Sequence, residues 1–292
     1  MSLIERLDSG LVPAVPVPFQ GQAIAVEAQQ AYARWMAGQA VAGVAVWAHT
    51  GRGPFLTATQ RSVVLETWRA ALPDGTIIAG AGTLAMARDA RTGGADALLA
   101  FPRAEDAVEW HAALGAELPV IAFYLYEAAG GVAYDDATLH AILDLPAVIG
   151  LKVATLDSVM TFQHLAGLVR QHPGKLLVTG EDRFLGYSLM LGARCALVGM
   201  GAALTDVQAA LLRSHVHGES EEFLRLAAVL DRFAQVTFRA PLEGYVRRML
   251  WAAAADGALP PEAGDDPWGP PLAAEERDAV IQAVHDARAA GR

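Results

Sequence analysis

The chain has 292 residues, 53% of them hydrophobic, which suits one large α/β domain of about 250 residues plus an extension. A net charge of −10, with arginines scattered rather than clustered, argues against nucleic acid and anionic membrane surfaces as partners. The single cysteine, Cys195, excludes an internal disulfide framework and fits a reducing cytoplasm.

No run of about 18 strongly apolar residues is present, so no membrane span is expected. The stretch Met1–Arg6 lacks a basic segment followed by an apolar one, so no signal peptide is expected. Taken in order, the strand candidates are Leu11–Val17, Gly43–Trp47, Thr76–Ala81, Ala97–Ala100, Val120–Tyr124, Val148–Val153, Leu176–Val178 and Cys195–Gly199. Helix-like stretches lie between them, among them Val26–Ala37, Thr59–Leu72, Ala104–Leu114, Ser158–Arg170 and Phe184–Leu191. Thr59 and Asp157 are candidate helix caps.

Eight strands alternating with helices imply a parallel sheet and the count of a closed (β/α)8 barrel. A doubly wound open sheet would place a Gly-rich phosphate turn after the first strand, and Pro16-Val17-Pro18-Phe19 is not one. Beyond Gly201 only helical patterns remain: Val207–Leu212, Glu222–Phe238, Leu242–Ala255 and Ala274–Ala289. The expected organisation is a catalytic barrel over residues 1–215 and an extension of about three helices over 216–292. Leu259–Pro271, rich in Pro, Gly and Asp, reads as a surface loop.

Only two of the 22 basic residues are lysines, Lys152 and Lys175. Lys152 lies within the apolar strand candidate Val148–Val153, where burial disfavours an ammonium and leaves a nucleophilic amine. Alternation puts Val148, Gly150 and Lys152 on one face, the smaller one, which fits a barrel interior. Lys152 then points inward at the C-terminal end of strand six, where barrel enzymes place their chemistry. Other strand ends supply His49-Thr50-Gly51-Arg52, Tyr124-Leu125-Tyr126-Glu127, Gly180-Glu181-Asp182 and Gly199-Met200-Gly201. An inward lysine beside a strand-five tyrosine suggests imine chemistry: the amine attacks a ketone, the iminium withdraws electrons, and a phenol shuttles protons. The hydroxyl and backbone donors of His49-Thr50-Gly51 suit a carboxylate. Cys195 reads as a core residue, and Lys175 as a lysine of the opposite, N-terminal face.

The motif order resembles the dihydrodipicolinate synthase and N-acetylneuraminate lyase family of class I, Schiff-base aldolases. The resemblance runs from about Gly10 to about Leu212. It rests on Leu11–Phe19, similar to the family's opening strand, on Ile149-Gly150-Leu151-Lys152, on Gly180-Glu181-Asp182, and on Leu191-Gly192-Ala193 followed by Val198-Gly199. It implies a barrel with a C-terminal three-helix extension and no cofactor. Lys152 becomes the imine-forming lysine and Tyr124 the catalytic tyrosine. Thr50 and Gly51, with His49 before them, become the carboxylate loop, and Gly199 and Met200 flank the keto-acid pocket.

The chain departs from the family's pattern in several places. His49 replaces a hydroxyl, Arg52 replaces a glutamate and Glu127 replaces a proline. The arginine that meets the second substrate is missing from Ala128–Gly131, and the aromatic pair after strand four is missing from Ala100–Arg103. The resemblance thus implies a lyase acting on a 2-oxo acid such as pyruvate and an aldehyde, rather than dihydrodipicolinate synthesis itself. A 2-keto-3-deoxy sugar acid dehydratase, a metal-dependent barrel lyase and a barrel that only binds a keto acid are the alternatives. A homotetramer or homodimer is expected from the resemblance and the apolar helix faces beyond the barrel.

Overall fold

The computed structural model describes residues 1–156 and 158–291. Eight parallel strands alternate with helices: β1 (Gly10–Pro13), β2 (Gly43–Val46), β3 (Thr76–Ala81), β4 (Ala97–Ala100), β5 (Val120–Leu125), β6 (Val148–Ala154), β7 (Leu176–Thr179) and β8 (Cys195–Val198). Neighbouring strands pair in the order β1-β8-β7-β6-β5-β4-β3-β2. A parallel bridge from Ala14 to Ala45 links β1 to β2 and closes the barrel. This is the (β/α)8 architecture that the alternation predicts.

The interior is filled by inward side chains of modest size, among them Val12, Ala45, Ile78, Leu99, Phe123, Val178, Cys195 and Leu197. The outward set, including Val46, Ala79, Leu98, Leu151 and Val153, packs under the helices. Such layering makes a solid core and leaves chemistry to the strand ends. Cys195 is buried in that interior, and burial pushes its thiol up to about 12, as suits a core residue.

The helices are α1 (Leu3–Leu7), α2 (Val26–Ala37), α3 (Ala58–Ala71), α4 (Leu84–Thr92), α5 (Ala107–Gly115), α6 (Asp136–Asp144), α7 (Val159–Val169), α8 (Leu185–Met190), α9 (Thr205–His217), α10 (Ser220–Thr237), α11 (Tyr245–Ala255) and α12 (Ala274–Ala290). The cap of α3 is Thr57 rather than Thr59: Thr57 accepts the Gln60 N–H, and Gln60 returns a bond to the Thr57 N–H. Ser158 caps α7 by accepting from the Thr161 N–H, while Asp157 lies outside the described residues. After α9, the last barrel helix, come three more, α10 to α12, and α10 packs on α9 and α12. None of the described helices is long and apolar enough to cross a membrane.

Two details correct the expected pattern. The pairing of β5 with β6 runs Val120 to Val148 and then Ile121 to Gly150, so Ile149 is an extra residue. This bulge puts Val148 in the outer layer and Ile149 against the interior, the reverse of simple alternation. Lys152 keeps its inward direction because it lies beyond the bulge. The segment 259–271 is also no plain surface loop: Ala263 and Asp266 are buried, and Trp268 packs edge-on against Phe19 at 4.9 Å.

Candidate active site

At the C-terminal rim of the barrel a narrow cavity of about 30 Å³ is lined by residues of β5, β6, the loops after β2, β7 and β8, and the start of α11. Lys152 forms its floor. The side chain is 6% exposed, and its Nζ sits 4.0 Å from the centre of the Phe123 ring. Burial pulls the amine down to about 8, against the opposing pull of Asp182 and Glu181. Gly180 keeps the amine in place: a Cβ there would stand 2.6 Å from Lys152 Cε.

The two acids beside the lysine have different partners. Glu181 is buried and accepts from the Thr155 N–H at 2.6 Å, the Thr155 hydroxyl at 2.9 Å and the Leu156 N–H at 3.0 Å. It thereby shapes the loop after β6. Asp182 lines the cavity and accepts the Met200 N–H at 2.6 Å. Burial pushes its carboxyl up to about 7, with the Met200 bond and Lys152 opposing.

His49, Thr50 and Gly199 line the cavity. Gly199 leaves the room this needs, since a Cβ would meet Thr50 Oγ1 at 3.0 Å. Gly51 lies behind Thr50, against the Val15 carbonyl, and among the described residues neither the Thr50 nor the Gly51 N–H meets an acceptor. Met200 contributes its backbone N–H alone; its side chain is buried in the outer core.

Tyr124 is not in the cavity. Phe123 is paired with Lys152 and shares its face, whereas Tyr124 is paired with Val153 and packs against the outer core. The Ile149 bulge decides which strand-five residue stands beside Lys152, and that residue is Phe123. Two other phenols reach the site, Tyr126 from the end of β5 and Tyr245 from α11.

Tyr245 lines the same cavity as the lysine and ties several rim groups together. Its hydroxyl lies 3.0 Å from His49 Nδ1 and 3.1 Å from Thr50 Oγ1, and its ring stacks on Phe238 at 4.9 Å. His49 Nε2 in turn lies 3.3 Å from Glu243 Oε1. The other oxygen of Glu243 pairs with Arg52 Nη1 at 2.7 Å. Burial would raise Glu243, but His49 and Arg52 hold it down to about 2.

Arg52, which stands where the family pattern has a glutamate, is buried at 2% exposure. Its guanidinium makes a two-pronged pair with Asp266, at 3.1 and 2.7 Å, and also donates to the Glu243 carbonyl at 3.0 Å. It fixes the loop after β2 to the C-terminal segment. Lys175 lies at the far end of β6, where its ammonium donates to the carbonyls of Leu145, at 2.9 Å, and Val148. Among the described residues, no group of three or more His, Cys, Asp or Glu side chains is arranged to hold a metal ion.

The fold is an eight-stranded barrel with a buried amine at its C-terminal rim and a three-helix extension. No family model matches the chain. Curated relatives include 4-hydroxy-tetrahydrodipicolinate synthases. That of Roseobacter denitrificans is 29% identical over 228 residues, 70% of this chain and 75% of the relative. That of Ruegeria pomeroyi is 28% identical over 212 residues, 66% of this chain and 71% of the relative. Among solved structures, the wild-type sialic acid aldolase of Ruminococcus gnavus superposes with a TM-score of 0.84 at 19% identity, over 97% of this chain and 99% of that one. The dihydrodipicolinate synthase of Agrobacterium tumefaciens gives 0.85 at 22% identity, over 98% and 99%. The chain is thus similar in sequence, over about two thirds of its length, to 4-hydroxy-tetrahydrodipicolinate synthases, and it shares its fold with solved dihydrodipicolinate synthases, a sialic acid aldolase and an N-acetylneuraminate lyase.

Proposed function

We propose that the chain is a Schiff-base-forming lyase that cleaves or condenses a 2-oxo acid such as pyruvate with an aldehyde. The observation that carries this reading is Lys152: a buried amine, pulled down to about 8, at the floor of a cleft on the catalytic face of the barrel. Its lone pair attacks the ketone carbon. Loss of water then gives an iminium, which draws electrons from the adjacent carbon. Among the described residues the N–H groups of Thr50 and Gly51 meet no acceptor, and they suit the substrate carboxylate. The cavity holds little more than a water or two, so binding of a 2-oxo acid requires its lining side chains to shift.

Glu127 and the run Ala128–Gly131 offer no arginine for a second carboxylate, which favours a neutral or sugar-derived aldehyde over the lysine-pathway partner. Dehydration of a 2-keto-3-deoxy sugar acid on the same imine is the second reading, favoured by the hydroxyl and imidazole groups of Tyr245, Thr50 and His49 around the cleft. A homo-oligomer in the cytoplasm is the setting we propose, from the family likeness and from exposed apolar side chains such as Met160, Met190 and Leu224.

Borohydride reduction in the presence of pyruvate, followed by peptide mass analysis, tests the mechanism. The expected adduct is on Lys152 and not on Lys175. No adduct with pyruvate or any of a panel of 2-oxo acids, or equal labelling of both lysines, removes the imine mechanism and leaves a barrel that only binds its ligand.

A further inference from the structure

The mechanism needs a group that moves protons, yet the strand-five residue beside Lys152 is Phe123, which has no hydroxyl. Among the described residues, the one phenol of the cleft that is tied into a chain of polar groups is Tyr245. Three contacts suggest a direction for that chain. Glu243 is a carboxylate and only accepts; among the described residues its Oε1 has no hydrogen-bond partner, and His49 Nε2 approaches it at 3.3 Å. With the imidazole proton on Nε2, facing Glu243, Nδ1 is left as an acceptor. The Tyr245 hydroxyl, 3.0 Å away, then donates to Nδ1, and its oxygen accepts from Thr50 Oγ1 at 3.1 Å. The second lone pair of that oxygen remains for substrate. This is the logic of a hydroxyl activated by a histidine that a carboxylate orients, carried here by a phenol.

Resting on the Schiff-base reading above, we propose that Tyr245 is the catalytic acid–base residue of this site, with His49 as its proton acceptor and Glu243 as the positioning residue. The step balances as follows. The Tyr245 oxygen takes a proton from the carbon next to the iminium as its own proton passes to His49 Nδ1. The C–H pair becomes the C=C bond of the enamine, and the C=N π pair returns to the Lys152 nitrogen. The imidazolium is neutralised by Glu243. In reverse the same proton returns to carbon. Arg52 holds Glu243 Oε2 at 2.7 Å, which leaves Oε1 for His49.

Two assays on pyruvate alone test this. The first is borohydride trapping on Lys152, which reads imine formation. The second is exchange of the pyruvate methyl protons in D2O followed by NMR, which reads the enamine step. Tyr245→Phe is expected to trap as wild type while exchange falls about 100-fold or more, and His49→Gln and Glu243→Gln are expected to lower exchange while trapping persists. Exchange at the wild-type rate in Tyr245→Phe overturns the assignment. So does loss of trapping in that variant, which would make Tyr245 a structural part of the cleft. Loss of exchange in Tyr126→Phe with Tyr245→Phe unaffected gives the role to Tyr126. A wild-type protein that traps no 2-oxo acid overturns both this inference and the reading beneath it, whereas trapping with any of the preceding outcomes overturns this inference alone.

Discussion

The pH dependence of Lys152 reactivity follows from where the amine is buried. An exposed lysine near 10.5 is a free amine in only about 0.03% of molecules at pH 7; at about 8 the fraction is roughly a tenth, some 300-fold more. The displacement corresponds to about 3 kcal/mol in favour of the neutral form. Its source is the apolar contact with Phe123 and the exclusion of water, partly offset by Asp182. Trace labelling with acetic anhydride, a small electrophile, counts the free amine directly against an added amine of known pKa. Since the neutral form reacts, the corrected labelling of Lys152 is expected to rise tenfold per pH unit up to about pH 7.5, bend near 8 and stay level above 9. With only two lysines, the two labelled peptides are read separately. A Lys152 rate that keeps rising tenfold per unit from pH 8.5 to 9.5 refutes the argument, for it would mean that the acids outweigh desolvation.

Two substitutions test the remaining geometry. Arg52→Leu strands the buried carboxylate of Asp266, which is 1% exposed, and is expected to destabilise the protein by about 3–5 kcal/mol, read as a fall in Tm of roughly 5–10 °C by calorimetry; a change below about 1 °C would show that the pair is not needed. Tyr124→Phe is expected to trap pyruvate and exchange its protons within about twofold of wild type, because the phenol lies on the outer face; a loss of tenfold or more would return Tyr124 to the chemistry.

The barrel was legible because its signals are local. Thr76–Ala81 and Ala97–Ala100 are short apolar runs bounded by helical patterns, and they form strands with the bounds their sequence suggests. Lys152 was legible for a related reason: a lone lysine in an apolar run needs only strand alternation to be aimed inward. Tyr124 misled because one extra residue in a neighbouring strand changes which side chain stands beside the amine. Neither composition nor spacing marks Ile149 as a bulge, since it is as apolar as its neighbours. Tyr245 and Glu243 were hidden by distance. They reach the cleft only once α10 has returned the chain to the rim, and no local pattern in Pro241-Leu242-Glu243-Gly244-Tyr245 announces a meeting with His49. The nature of Arg52 was obscured likewise, because its partner Asp266 sits in a segment whose Pro and Gly content suggested solvent.

The knot of Arg52 with Glu243 and Asp266 bears on how this chain exchanges parts with its relatives. A recombinant with its crossover anywhere between residues 53 and 242 inherits the guanidinium from one parent and both counter-ions from the other. Where the second parent lacks the acids, a buried cation is left alone; where the first lacks the arginine, two carboxylates face each other without one. Positions 49, 52, 243, 245 and 266 therefore travel as one inheritance unit although about 200 residues separate their ends, whereas Lys152 lies outside that unit and tolerates exchange with any relative that keeps a lysine there.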